Sequence, residues 1–260
     1  MIPLTPIHYL LKIGNFTIYT WGAFFVLAFL ITSILFFREA RKRGIEENTI
    51  WSILLLILLG AIIGGRLFFI FENLSYFISK PLEILAFGKG GETSYGGIIL
   101  SILFVWLYCK KNKDKIRFSQ ILDTVAPYLA LGLAIARIGC FLNWDDFGIA
   151  SSLPWAIQVA GDILRHPTQL YETLYCLVIF GLLIWFKKIK ENPDAKLTKF
   201  KKLLNKNGAL FLCFLILYSF FRFFNDFLRV YQNYFLGLAE SQWILLVTFI
   251  TSKIILWRKK

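Results

Sequence analysis

Apolar residues in this chain come in long unbroken runs rather than in the one-sided stripes of a soluble protein. Seven windows of about 18–22 residues, near 17–37, 51–72, 93–109, 120–141, 169–187, 208–229 and 241–257, are each apolar enough to cross the roughly 30 Å hydrocarbon core of a bilayer as a helix. The pattern predicts an all-α fold, a polytopic membrane helix bundle of about seven transmembrane helices. Polar residues between the windows separate by charge. Of the 29 Lys and Arg, 20 fall in residues 38–43, 110–117, 187–206 and 258–260. These segments alternate so that all can lie on one side, and the positive-inside rule makes that side cytoplasmic. The N-terminus and the loops near 75–92, 142–168 and 230–240 are then outside, and the C-terminus is cytoplasmic.

Composition sharpens this picture. A chain of 260 residues that is 57% hydrophobic and 17% charged, with 27 Phe, is excluded from the ordinary soluble class. A net charge of +13 would suggest nucleic acid. Orientation and anionic lipid headgroups account for the basic loops instead, so no nucleic-acid partner is expected. The opening MIPLTPIHYL lacks a basic n-region and a small-residue cleavage pattern, and no removable signal peptide is expected. Cys109, Cys140, Cys176 and Cys213 show neither metal-ligand spacing nor a paired framework, and no metal site is read. Without internal repeats, residues 1–260 read as a single integral-membrane domain. The polar loop 142–168, with Trp144 and Trp155 suited to the interface, forms an outer cap, and 187–207 is a basic cytoplasmic loop.

Three arginines interrupt the apolar windows: Arg66, Arg137 and Arg222. An ionisable group at such a depth costs roughly 2.5–3.5 kcal/mol on insertion scales, so it calls for a partner or a task. Each lies about 22 Å along its helix from the cytoplasmic end, at one level in the outer half of the bilayer. Polar groups gather just above that level: Glu72, Asn73, Tyr95, Asn143, Asp145, Asp146, His166, Gln169, Tyr171, Glu172, Tyr218, Asp226, Arg229, Glu240 and Gln242. The cytoplasmic half of the windows is nearly bare. This asymmetry points to a site opening toward the outer leaflet. Guanidinium groups suit a phosphate bidentately, and the phosphate at that depth belongs to a phospholipid. A structural assignment stands beside two of them: Arg222 and Asp226 are spaced to neutralise one another on one helix face, and Arg66 with Glu72 can snorkel to the interface. The glycine pairs Gly64–Gly65 and Gly96–Gly97 permit close approach, either between helices or to a ligand.

With these residues in place, the chain resembles the prolipoprotein diacylglyceryl transferase family over nearly its whole length. GGRLFFIFENL and GGETSYGG look like two of the family's motifs. ARIGCFLNWDDFG, residues 136–148, is similar to the signature usually written G-R-I-G-N-F-I-N-G-E-x-x-G. RHPTQLYE (165–172) and LYSFFRFFNDFLR (217–229) match two further motifs in the correct order. The resemblance implies an enzyme of the bacterial cytoplasmic (inner) membrane with its active site toward the outer leaflet. Such an enzyme moves the diacylglyceryl group of phosphatidylglycerol to the lipobox cysteine thiol of prolipoproteins, forms a thioether, releases glycerol phosphate and needs no cofactor. It implies catalytic roles for Arg137, Arg222, Tyr95 and Asp145. Substrate-binding roles are implied for Arg66, Asn143, Gly148, His166, Tyr218, Asp226, Gln242, Gly96 and Gly97. Arg66 has a second assignment, bracing the bundle.

The chain departs from the family pattern at several points. Tyr95 stands where better-known members carry His, Cys140 where the signature has Asn, Trp144 where it has Gly, and Trp21 at the first-span Tyr position. Asp145 and Asp226 hold positions usually occupied by Glu, with a shorter reach toward the arginines. His166 is a candidate base or an interface residue, and Cys140 a candidate nucleophile or an inert buried thiol. Two other functions stay open: a related membrane transferase with a different acceptor, and a transporter of an anionic solute or lipid. The absence of inverted repeats and broken helices speaks against transport.

Overall fold

A computed structural model describes residues 2–14, 16–85, 94–159, 163–192, 199–231 and 234–258. Residues 90–93 of the GGETSYGG motif, 160–162 of the outer loop, 193–198 of the basic loop and the terminal pair 259–260 lie outside the described residues. Among the described residues each apolar window holds a helix: α1 (Thr20–Lys42), α2 (Glu47–Glu72), α4 (Ser94–Lys111), α5 (Phe118–Asn143), α6 (Thr168–Glu191), α8 (Ala209–Asp226) and α9 (Glu240–Arg258). Two short helices of 6 residues each, α3 (Leu74–Ser79) and α7 (Lys199–Leu204), lie between them. Among the described residues five helices, α1, α2, α5, α6 and α8, are long and apolar enough to cross a membrane. The protein is thus a membrane helical bundle.

Strands, which the apolar pattern did not predict, are short. β1 (Ile2–Leu4) pairs in parallel with β4 (Ile157–Val159) in the outer loop. β2 (Tyr9–Ile13) and β3 (Phe16–Tyr19) form an antiparallel hairpin immediately before α1, and β5 (Tyr234–Phe235) with β6 (Leu238–Ala239) forms another before α9. The α6 helix runs on to Glu191, so part of the basic loop is an extension of the apolar helix.

The chain divides into two compact units, one of Met1–Phe36 with Leu122–Lys260, the other of Phe37–Ile121. In the smaller unit α2 and α4 pack along a seam of small residues. A Cβ built on Gly64 would lie 2.3 Å from the carbonyl oxygen of Gly96, and the reverse contact is equally short, so neither position admits a side chain. Gly97 lies against Ala61, and the Ser101 hydroxyl donates to the Ile57 carbonyl at 2.8 Å.

In the larger unit α6, α8 and part of α5 enclose an apolar core that includes Ala130, Ile179, Leu183, Leu210 and Phe214, closed by Leu204 of α7 and Leu256 of α9. At one end of this core Asp123 satisfies the start of α8. Its carboxylate accepts from the backbone N–H of Gly208 at 3.1 Å and of Phe211 at 3.2 Å, two donors with no partner inside the helix, and Lys190 balances its charge at 3.1 Å. At the other end lies the polar cluster.

Candidate functional site

Helical spacing builds the cluster. On α6, Gln169, Glu172, Tyr175 and Cys176 share one buried face, and on α8 the half-buried Tyr218 lies along the face that buries Arg222, Asn225 and Asp226. The two faces meet at Glu172, which is 1% exposed. Its Oε1 accepts a hydrogen bond from the Tyr218 hydroxyl at 2.9 Å. Its Oε2 takes a charge-assisted hydrogen bond from Nη1 of Arg222, lies 3.0 Å from Nε of Arg137 on α5, and lies 3.9 Å from Nη1 of Arg229 just past α8. Each arginine has a second carboxylate. Arg222 Nε lies 2.9 Å from Asp226 Oδ1, Arg137 Nη1 2.9 Å from Asp146 Oδ2, and Arg229 Nη2 2.7 Å from Asp146 Oδ1. The Ser241 hydroxyl at the start of α9 donates to the other Asp226 oxygen at 2.8 Å.

The turn after α5 places Asp146. Backbone bonds from Trp144 N–H to Phe141 C=O (3.1 Å) and from Asp145 N–H to Cys140 C=O (2.9 Å) close the helix in a Schellman motif, with Trp144 left-handed at φ +63°. Glycine is the residue that adopts this conformation without strain, which gives a physical reason for the Gly that the signature carries there. The Trp144 ring is held instead by stacking on Phe147 and by an edge contact with Phe141. Partial burial would raise the Asp146 pKa, but the guanidiniums of Arg229 and Arg137 outweigh it and hold the carboxyl below its usual value.

Other predicted residues frame this centre. Asn143 ends α5, donates to the Asp145 carboxylate at 2.6 Å, and lies 3.1 Å through its Oδ1 from Nδ1 of His8. Asp145 therefore turns to Asn143, and Asp146 next to it meets the arginines. The Asp145 carbonyl accepts from the Gln169 side-chain amide. Gly148 is wedged where a Cβ would come within 2.5 Å of the His166 carbonyl oxygen and 2.7 Å of the Leu228 carbonyl oxygen, and it bridges to Arg229. His166 clasps the loop through its backbone, and its Nδ1 lies 3.2 Å from the Tyr171 hydroxyl, which accepts from Trp155 Nε1 at 2.8 Å. Burial lowers its pKa, favouring neutral imidazole. Gln242 accepts from the Ala239 N–H at 2.9 Å, capping α9, and donates to the Phe223 carbonyl of α8 at 3.3 Å. Cys140 is buried, with its Sγ 3.7 Å from Arg137 Nη1.

Arg66, Tyr95, Gly96 and Gly97 belong to the smaller unit. Arg66 donates to the carbonyls of Ile84 (3.1 Å) and Glu83 (2.6 Å) and lies over the rings of Phe69 and Phe77. That geometry suits the bracing assignment, and Gly96 and Gly97 serve the helix seam. Tyr95, in the first turn of α4, is 58% exposed.

Arg137, Arg222, Tyr218 and Asp226 stand out in the sequence as site residues, whereas Glu172, Asp146 and Arg229 appear there only among the polar groups above the arginine level. For Glu172 the signal lay in α6 periodicity, three positions after Gln169 and three before Tyr175. For Arg229 it lay in the seven-residue spacing from Arg222, two turns along one face.

Fold and cluster together define a membrane-embedded helical protein with a buried guanidinium–carboxylate network at one end of its core. Its sequence fits the family model described as prolipoprotein diacylglyceryl transferase over residues 8–258, and the chain belongs to that family. It is 33% identical over 235 residues to the phosphatidylglycerol–prolipoprotein diacylglyceryl transferase of Finegoldia magna, covering 90% of this chain and 88% of the relative. It is 35% identical over 254 residues to the protein of the same name from Bordetella avium, at 92% and 89% coverage. For the Clostridium tetani protein, likewise of that name, the identity is 31% over 249 residues, with 93% of each chain covered.

Proposed function

We propose that this protein is a phosphatidylglycerol–prolipoprotein diacylglyceryl transferase, acting as one integral-membrane domain of seven spans in the bacterial inner membrane. Its N-terminus and its active site face outward, and its basic loops are cytoplasmic. The observation that carries the reading is the convergence of Arg137, Arg222 and Arg229 on the single buried carboxylate of Glu172, in a chain of this family.

In this reaction the sulfur of the lipobox cysteine attacks the glyceryl carbon that bears the phosphate ester. The carbon–oxygen bond breaks, a thioether forms, and glycerol phosphate departs with the bonding electron pair. Negative charge builds on the departing oxygen. Guanidiniums already held in place by buried carboxylates stabilise that charge without reorganising, and in a water-poor site the effect of one such donor is about 3–4 kcal/mol. A guanidinium N–H close to the sulfur favours the thiolate over the thiol as the thiol proton passes to water. Arg137 and Arg222 are the catalytic cations, and Glu172 fixes their orientation. Tyr218 and Asp226 position the cluster, and Asn143 and Gly148 shape the turn beside it.

The test is transfer of labelled diacylglycerol from phosphatidylglycerol to a lipobox peptide by the purified protein, beside Arg137→Ala. Thioether product from the wild type and none from the variant is the expected result. A folded wild type that binds the lipid but yields no thioether would mean a different acceptor. Anion transport by proteoliposomes, indifferent to the peptide, would mean a transporter.

A further inference from the structure

The three carboxylates of the cluster differ in how firmly they are held. Glu172 and Asp226 are buried, and each accepts from a hydroxyl, of Tyr218 and Ser241 respectively, as well as from arginine. The Asp146 side chain is 45% exposed, and its two oxygens lie one against Arg137 and one against Arg229. Its backbone is fixed separately. The Asp146 carbonyl accepts from the Thr168 hydroxyl at 2.9 Å, and the preceding carbonyl accepts from the Gln169 amide. The carboxylate can therefore swing about its own χ1 while the turn stays in place.

Two oxygens bridging two guanidiniums is also how the non-bridging oxygens of a phosphodiester would sit. The charges balance: Arg137, Arg222 and Arg229 face Glu172, Asp226 and Asp146. A neutral cluster offers little net attraction to an anionic lipid until one carboxylate moves away. Asp146 already touches water, so its departure costs least in desolvation.

We propose that Asp146 is a displaceable counter-anion: its carboxylate holds the phosphate seat between Arg137 and Arg229 and swings into solvent when the phosphate of an anionic lipid takes its place. This rests on the reading of the protein as a phosphatidylglycerol-dependent transferase. The exchange swaps one anion for another and leaves the cluster neutral. It also sets lipid affinity, because every bound phosphate must first compete with a tethered carboxylate.

The experiment measures phosphatidylglycerol binding to the full-length protein in micelles without acceptor, with transfer to a lipobox peptide in parallel, for the wild type, Asp146→Asn and Asp146→Glu. Asp146→Asn is expected to bind the lipid about five-fold more tightly, the scale of one partly exposed ion pair, with KM falling in step. Asp146→Glu, which keeps the competing charge, is expected to stay within about two-fold of the wild type. Equal or weaker binding by Asp146→Asn at an unchanged thermal midpoint overturns the proposal. If that variant is unstable, Asp146→Ser, uncharged and still hydrogen-bonding, makes the same comparison. A wild type that neither binds nor transfers from phosphatidylglycerol overturns the reading of function, whereas one that does both beside an unimproved Asp146→Asn overturns only the exchange.

Discussion

Oε2 of Glu172 lies 3.0 Å from Nε of Arg137, and this contact joins α6 to α5 at the level where α8 brings in Arg222. One carboxylate oxygen thereby sets the positions of guanidiniums from two other helices. Removing its charge should cost both stability and catalysis. Glu172→Gln leaves buried arginines short of a counter-ion, for which about 3–5 kcal/mol is typical. A large drop in thermal midpoint in detergent and a loss of transfer of about 100-fold or more are expected, and a stable, active variant would refute the central role.

Arg137 offers a sharper test of geometry. Arg137→Lys keeps the charge but cannot address Glu172 and Asp146 with separate N–H groups of one planar fork. Transfer should fall by about 100-fold, the effect of one misplaced oxyanion donor. Lysine supporting near wild-type kcat would show that charge alone suffices.

Gly148 has no space for a methyl group between the His166 and Leu228 carbonyls. Gly148→Ala must push the turn away from Arg229, and a destabilisation of about 1–3 kcal/mol is expected from the overpacking. Thermal melting reads the loss, and transfer should fall with it because Arg229 is bridged to this residue.

Trp144 tests a position where this chain departs from its family. Trp144→Gly relieves the left-handed strain, about 1 kcal/mol, but gives up the ring contacts with Phe141 and Phe147, about 0.5–1.5 kcal/mol each. The two effects oppose one another. The thermal midpoint should move by only a few degrees and transfer should persist; collapse of either would mean that the ring has a further role.

His166 makes stability depend on pH. Its pKa in the folded protein lies below the ordinary 6.5, so the imidazole is neutral in both states at high pH and no penalty arises there. As pH falls through 6.5 the unfolded chain gains a proton before the folded protein does, and stability declines until the folded pKa is passed. The thermal midpoint is expected to drop between pH 7.5 and 5, and less so in His166→Gln. Equal slopes for the two proteins would refute the assignment.

The apolar windows made the helices legible because hydrocarbon demands continuous runs of apolar residues. Arg137, Arg222 and Asp226 could be found because a charge inside such a run needs an explanation, and Tyr218 through the motif it shares with Arg222 and Asp226. Glu172 was harder to find: it lies close to the loop, where a carboxylate is unremarkable, and its burial arises only when α6 and α8 close over it. The resemblance favoured Asp145 over its neighbour Asp146, but the left-handed turn at Trp144 brings Asp146 to the arginines and leaves Asp145 on Asn143. For Arg66, depth in the window gave no sign that the carbonyls of Glu83 and Ile84, 17 and 18 residues later in the chain, would take its donors.

Chain order in the cluster bears on how the protein enters its membrane. Arg137 and its partner Glu172 lie on successive long helices, α5 and α6, so the pair can form as soon as that hairpin closes, while the rest of the chain is still being made. Arg222 brings its own acid one turn away, and α8 is inserted with Asp226 already beside it. No guanidinium of these two spans has to wait in lipid for a counter-charge encoded far downstream.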